Sequence, residues 1–192
     1  MYTNDSGNKT DLRVRRTRKL LWESLMSLLE YRSFESLSVQ EICDNAMVHR
    51  TTFYKHFRDK YQLLAYGLEE AREKFASRSY KDRILRPMQM FEEMGHMRQF
   101  QTLLNAEQRG GTLGCIMQKH AEDSLKRDLT EAEKKGVRFP VPVDVIAAFY
   151  SGAIAALGAW WLRHEAAVSA QEMDEYLGRL INFDTFFPET AK

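Results

Sequence analysis

Cysteine is scarce here. Cys43 and Cys115 are the only two in 192 residues, and they lie far apart. That excludes a disulfide framework and a thiolate metal site, and it fits a reducing cytoplasm. Metal-ligand spacing is also missing, because His96, His120 and His164 are scattered. No metal and no cofactor is expected. The chain has no nucleophile elbow, no phosphate-cradling loop and no zincin helix. No carboxylate pair is singled out by an apolar setting, so nothing marks an enzyme. No alternating strand pattern and no internal repeat appears. Charge of one sign is absent overall, since the formal net charge is +1. The polar stretch Met1–Asp11 lacks the apolar run of a signal peptide and reads as a disordered lead-in.

What is present is helical periodicity and an uneven charge. With 44% hydrophobic and 29% charged residues, the chain can build a substantial core in one or two small domains. Residues 1–60 carry eleven Lys/Arg against eight Asp/Glu, and the remainder seventeen against nineteen. The positive end is thus the N-terminal one, as a phosphate-facing module requires. Five cations and no acid fall within Arg13–Lys19.

Ser38–Lys60 concentrates the information. Val39, Ile42, Cys43 and Ala46 follow the i, i+3, i+4, i+7 rhythm of a helix buried on one side. Ser38 is placed to cap it, with Glu41 completing a capping box. The rhythm breaks over Asn45–Val48 and restarts. Phe53 and Phe57, four apart, anchor a second helix, and Arg50, Thr51, Thr52, Tyr54, Lys55 and His56 remain outside. This is the pattern of a helix-turn-helix whose second helix enters a major groove.

The motif Ala46-Met47-Val48, then Thr52-Phe53-Tyr54-Lys55-His56-Phe57, Lys60 and Leu63, resembles the DNA-binding domain of the TetR/AcrR family of bacterial regulators, over about Thr17 to Leu64. Met47 stands where the family usually has glycine. The resemblance implies an all-α protein. Its three-helix helix-turn-helix domain would span residues 12–70, and a helical ligand-binding and dimerisation domain residues 71–192. It places Arg50, Thr51, Thr52, Tyr54, Lys55 and His56 against DNA. Ser38 is counted on the same side. Arg50 and Lys55 can donate to guanine O6 and N7, and the threonines can meet thymine. Tyr54 and His56 suit phosphate or sugar, and Lys60 a phosphate at the start of the fourth helix.

The second domain is read as a short series of helices. A charged stretch at Ser77–Arg86 and Pro87 marks a break, followed by Met88–Ala106, Thr112–Lys135, Val143–His164 and Gln171–Phe183. Pro87–Asn105 and Phe149–Trp161 also resemble the C-terminal domain of regulators related to the dihydroxyacetone-kinase activator. Val145–Leu162 is eighteen residues without a charge, the lower edge of a transmembrane span. Flanking Asp144 and Arg163 and its many small residues favour a buried interface helix, with no membrane partner. Rows of small residues, Ala148/Gly152/Ala156 and Ser151/Ala155/Ala159, let helices approach closely. With Tyr176 and Leu180 they suggest a four-helix bundle between two subunits. Phe91, Met94, Met97, Phe100, Tyr150, Trp160 and Trp161 are candidates for an apolar effector pocket, although such residues at helical spacing are more often plain core. The expected function is a cytoplasmic, homodimeric regulator on a pseudo-palindromic double-stranded operator, a repressor released by a small-molecule effector. The alternative is a helical dimeric adaptor or coactivator that uses the same face for protein contacts.

Overall fold

The computed structural model describes residues 6–97, 99, 101, 112–164, 167–182 and 186. Among them the elements are nine α-helices and no strand. They are α1 (Ser6–Leu29), α2 (Val39–Ala46), α3 (Arg50–His56), α4 (Lys60–Lys74), α5 (Tyr80–Leu85), α6 (Pro87–Glu93), α7 (Thr112–Lys134), α8 (Val143–Arg163) and α9 (Ala170–Leu180). The chain divides into two compact units, Met1–Glu69 and Glu70–Lys192, with the division inside α4.

The N-terminal unit is built on α1. Leu21, Leu25 and Leu29 recur every four residues and are fully buried, as are Ile42 of α2, Phe53 of α3 and Leu63 and Leu64 of α4. Each such side chain contributes about 1.5–3 kcal/mol on burial. Polar cross-links fix the register. Buried Ser24 donates to Ile42 O at 2.8 Å and accepts from Asn45 Nδ2 at 3.0 Å. Gly67 is required by close approach, because a Cβ there would lie 2.1 Å from Trp22 Cε3. Of the lead-in expected over residues 1–11, residues 1–5 lie outside the described residues and Ser6–Asp11 is the first part of α1. Once the leucine face nucleates a helix, each added residue gains a hydrogen bond at little further cost.

The C-terminal unit has two apolar clusters. In one, Leu125 and Leu129 of α7 meet Val143, Ile146, Ala147 and Tyr150 of α8, with Ile84 and Leu177. In the other, Met88, Trp161, Ala170 and Met173 pack with the half-buried Phe91 and Met97. Two carboxylates, the buried Asp174 and the half-buried Asp128, organise the ends. Asp174 accepts from Met88 N at 2.9 Å and Gln89 N at 3.1 Å, at the start of α6 where unpaired N–H groups favour an anion. Asp128 receives Arg83 through two atoms, Nη2 at 2.8 Å and Nε at 3.0 Å, and Arg72 Nη2 at 3.5 Å. Two helix boundaries differ from expectation. The charged stretch at Ser77–Arg86 contains α5, capped by Ser79 through Asp82 N at 3.1 Å. With Ile84 its one buried residue, no period was there to read. The helix expected over Met88–Ala106 is interrupted: α6 ends at Glu93, Gly95 turns the chain at φ 75°, residues 97, 99 and 101 are helical again, and 102–106 lie outside the described residues.

Candidate nucleic-acid interface

Local bonds position the exposed helix. Ser38 caps α2, accepting from Glu41 N at 3.2 Å, while its own N–H donates to Glu41 Oε2 at 2.8 Å. The Ser38 hydroxyl donates to the same carboxylate at 2.7 Å. Arg32 binds the other oxygen of Glu41. The Arg32 bond, then the Ser38 bonds, hold the Glu41 pKa down at about 2. Met47 closes α2 in the left-handed region, φ 53° and ψ 40°, and Val48 N returns to Cys43 O at 3.0 Å. That is the glycine-type helix ending, made here by a non-glycine residue. The Met47 side chain is 92% exposed, so no packing offsets its strain.

From this turn α3 runs with Phe53 buried beneath it, and Phe57 follows it into the core. At ~100° per residue, Arg50, Thr51, Tyr54 and Lys55 share an arc of about 140°. All four are exposed. Thr52 lies on the flank of α3 and His56 on its far side, and both are half-buried. Burial first, then Arg18 and Lys55, lower the His56 pKa, so its imidazole is neutral at neutral pH. Arg18 of α1 supports this far side, its guanidinium 5.9 Å from the Phe57 ring centroid and 5.6 Å from that of Tyr66. On the exposed arc, Arg50 Nη2 donates to Tyr54 OH at 3.2 Å.

Lys60, expected on a phosphate, has protein partners in the structure: its ammonium donates to Phe34 O at 2.7 Å, Leu37 O at 2.8 Å and Glu35 O at 3.0 Å. An ammonium has three N–H bonds, and all three are engaged. Burial lowers its pKa. The residue ties the α1–α2 loop to the start of α4. No sequence signal marks this, because the acceptors are main-chain carbonyls. Ser24 and Asn45 were missed for the same kind of reason: each is an ordinary polar residue until the fold brings them together.

In the C-terminal unit the expected pocket residues are divided between two clusters that share Ile154 and Leu157. Phe91, Met97 and Trp161 share a cluster, and Met94 is half-buried. Tyr150 belongs to the other cluster and donates to Ile84 O. Trp160 is 47% exposed and stacked on His164. Adjacent tryptophans on a helix diverge by ~100°, so one faces the core and the other does not. Phe100 lies outside the described residues. The expected interface residues fare differently. Ala148, Ala155, Ala156, Tyr176 and Leu180 are exposed, Ala159 is half-buried, and Gly152 is half-buried beside Gln118. Ser151 turns inward, its hydroxyl on Ala148 O. Val145 and Phe149, the latter 62% exposed, extend the same apolar side of α8. By length and composition α8 could cross a membrane, and 33% of its most apolar window is buried.

Residues 23–66 match the family model of bacterial regulatory proteins of the tetR family. No curated protein is significantly similar to the sequence. Solved structures resemble it over most of its length. The dihydroxyacetone kinase operon activator DhaS superposes with a TM-score of 0.59 at 17% identity, covering 89% of this chain and 97% of that one. A TetR transcriptional regulator from Streptococcus agalactiae superposes at 0.60 and 19% identity, covering 92% and 99%. The fatty acid degradation regulator FadR from Bacillus halodurans gives 0.56 at 14%, covering 85% and 93%. At these identities the structural likeness establishes the fold.

Proposed function

We propose that the chain, whose residues 23–66 match the model of bacterial regulatory proteins of the tetR family, is a homodimeric, sequence-specific transcriptional regulator in the cytoplasm. The carrying observation is the exposed arc of Arg50, Thr51, Tyr54 and Lys55 on a helix fixed from below by Phe53. Of these, Arg50, Thr51 and Lys55 can read base edges in a major groove, with Arg50 or Lys55 on guanine. Thr52 lies about 60° beyond the arc and suits the sugar-phosphate backbone, whereas His56 lies on the far side of the helix. Ser38 acts by capping α2, which holds the turn from which α3 starts.

One such helix reads few base pairs, so two copies are needed on a two-fold site. The apolar side of α8, with Val145, Phe149, Ala155 and Ala156, together with Tyr176 and Leu180 of α9, is the surface we assign to the second copy. Buried Ile146, Ala147, Tyr150 and Trp161 on its other side leave one stripe for a partner helix rather than a lipid-facing circumference. Repression relieved by a small apolar effector is the mode we assign. The Met- and aromatic-rich cluster of Phe91, Met97 and Trp161 is its candidate seat. The fold itself accommodates the opposite sign, since the similar DhaS is an operon activator.

Selection of duplexes from a random pool by the full-length protein tests the reading. Enrichment of a sequence with two-fold symmetry is expected. An intact dimer that enriches nothing would favour the adaptor alternative. Phe149→Glu tests the subunit surface: sedimentation should shift from dimer to monomer, and an unchanged profile would return α8 to intramolecular packing.

A further inference from the structure

Arg50, the strongest base-reading candidate on α3, is held by a neighbour. One turn later on the same helix stands Tyr54. The Arg50 guanidinium carbon lies 5.5 Å from the Tyr54 ring centroid, and Nη2 donates to the Tyr54 hydroxyl at 3.2 Å. Tyr54 is itself braced: its ring meets the buried Phe53 ring edge-to-face at 5.4 Å. A line of support thus runs from the core through Phe53 and Tyr54 to an exposed guanidinium. We propose that Tyr54 is a positioning residue, which orients Arg50 for one base pair and sets specificity there without touching a base. The inference rests on α3 being the DNA-recognition helix.

The chemistry is compatible with base reading. A guanidinium carries five N–H bonds in a rigid fork. Tyr54 occupies one of them, which leaves a parallel pair for guanine O6 and N7. The aromatic face and the hydroxyl together restrict a side chain that otherwise samples many rotamers. Removing that restriction means Arg50 must be ordered at the moment of binding, at a cost that reads as about two- to tenfold in affinity. Random DNA, bound through phosphates rather than base edges, escapes this cost.

The test is a double-mutant cycle with full-length protein on two duplexes. One is the sequence enriched by the wild-type chain from a random pool, and the other is a random duplex. Tyr54→Phe should weaken the enriched duplex about two- to tenfold and the random duplex by less. It should flatten preference at the same base pair that Arg50→Ala flattens. In the Arg50→Ala background, Tyr54→Phe should have no further effect. Tyr54→Leu removes ring and hydroxyl together and should show a larger loss with the same dependence on Arg50. Tyr54 is 48% exposed, so neither variant opens a core cavity. Equal losses with and without Arg50, or equal losses on both duplexes, would overturn the positioning role in favour of a phosphate contact. No loss in either Tyr54 variant would overturn it too. Failure to enrich any duplex would refute the recognition-helix reading and this inference with it, whereas an enriched duplex with an additive cycle refutes this inference alone.

Discussion

Replacing Met47 by glycine should stabilise the N-terminal unit. Met47 sits at φ 53° and ψ 40°, the sole non-glycine residue with positive φ among those described. An L-residue there is strained by about 1–2 kcal/mol, because its Cβ crowds the following carbonyl oxygen. Glycine removes that strain, but it adds about 0.4–1 kcal/mol of freedom to the unfolded chain. No packing is lost, since the side chain is 92% exposed. At mid-range values, about 1.5 less about 0.7, the net gain is about 0.8 kcal/mol. With a denaturant slope of about 1 kcal/mol per molar for a small unit in urea, the midpoint should rise by about 0.8 M. The assay is urea unfolding of the full chain, followed by a probe in the N-terminal unit such as Trp22 fluorescence. Met47→Ala is the control, because it keeps the Cβ and should gain almost nothing. Met47→Val, branched at that carbon, should lose stability. If Met47→Gly leaves the midpoint unchanged or lowers it, the strain argument fails. If Met47→Ala gains as much as glycine, the cause is side-chain exposure and not backbone geometry.

Three further outcomes follow from the same contacts. Lys60→Met should cost about 1–3 kcal/mol, because three carbonyls lose their donor, while the salt dependence of DNA binding stays as it is. A salt slope reduced by about one would restore a phosphate role. Glu41 has its pKa held at about 2, against an ordinary 4.5, by Arg32 and then Ser38. Its stabilising contribution is therefore complete above pH 4.5 and is lost as pH falls towards 2. Urea midpoints of the N-terminal unit should decline over that range in the wild type and less in Glu41→Gln; parallel curves would remove Glu41 as the cause. Asp128→Asn should destabilise the C-terminal unit by about 2–3 kcal/mol, the low side of the cost of breaking a buried pair, since both partners keep some exposure. Calorimetry showing less than about 0.5 kcal/mol would mean that the Arg83 fork carries little.

The helix-turn-helix was legible because its determinants are local. The capping box of Ser38 and Glu41, the four-residue spacing of Phe53 and Phe57 and the break at Asn45–Val48 are each set within one or two turns of chain. Long-range partnerships were not legible. Lys60 meets carbonyls more than twenty residues upstream, and a basic residue at a helix start reads equally well as a phosphate ligand. The apolar C-terminal helices posed a different problem. In α8 nearly every position is apolar or small, so periodicity could not say that Trp161 faces inward and Trp160 outward, or that Ser151 leaves the small-residue row. The polar α5 shows the converse, with Ile84 its one buried side chain.

The central claim is sequence-specific DNA binding by α3. Its most direct test is a gel-shift titration of the full-length protein on the intergenic DNA flanking its own gene, with a scrambled competitor, at two salt concentrations. The account predicts a complex that survives excess competitor at both salts and loses its preference in Arg50→Ala, at a cost of about 1–3 kcal/mol. Equal binding to both DNAs that disappears in salt would contradict it, leaving only a basic surface at work.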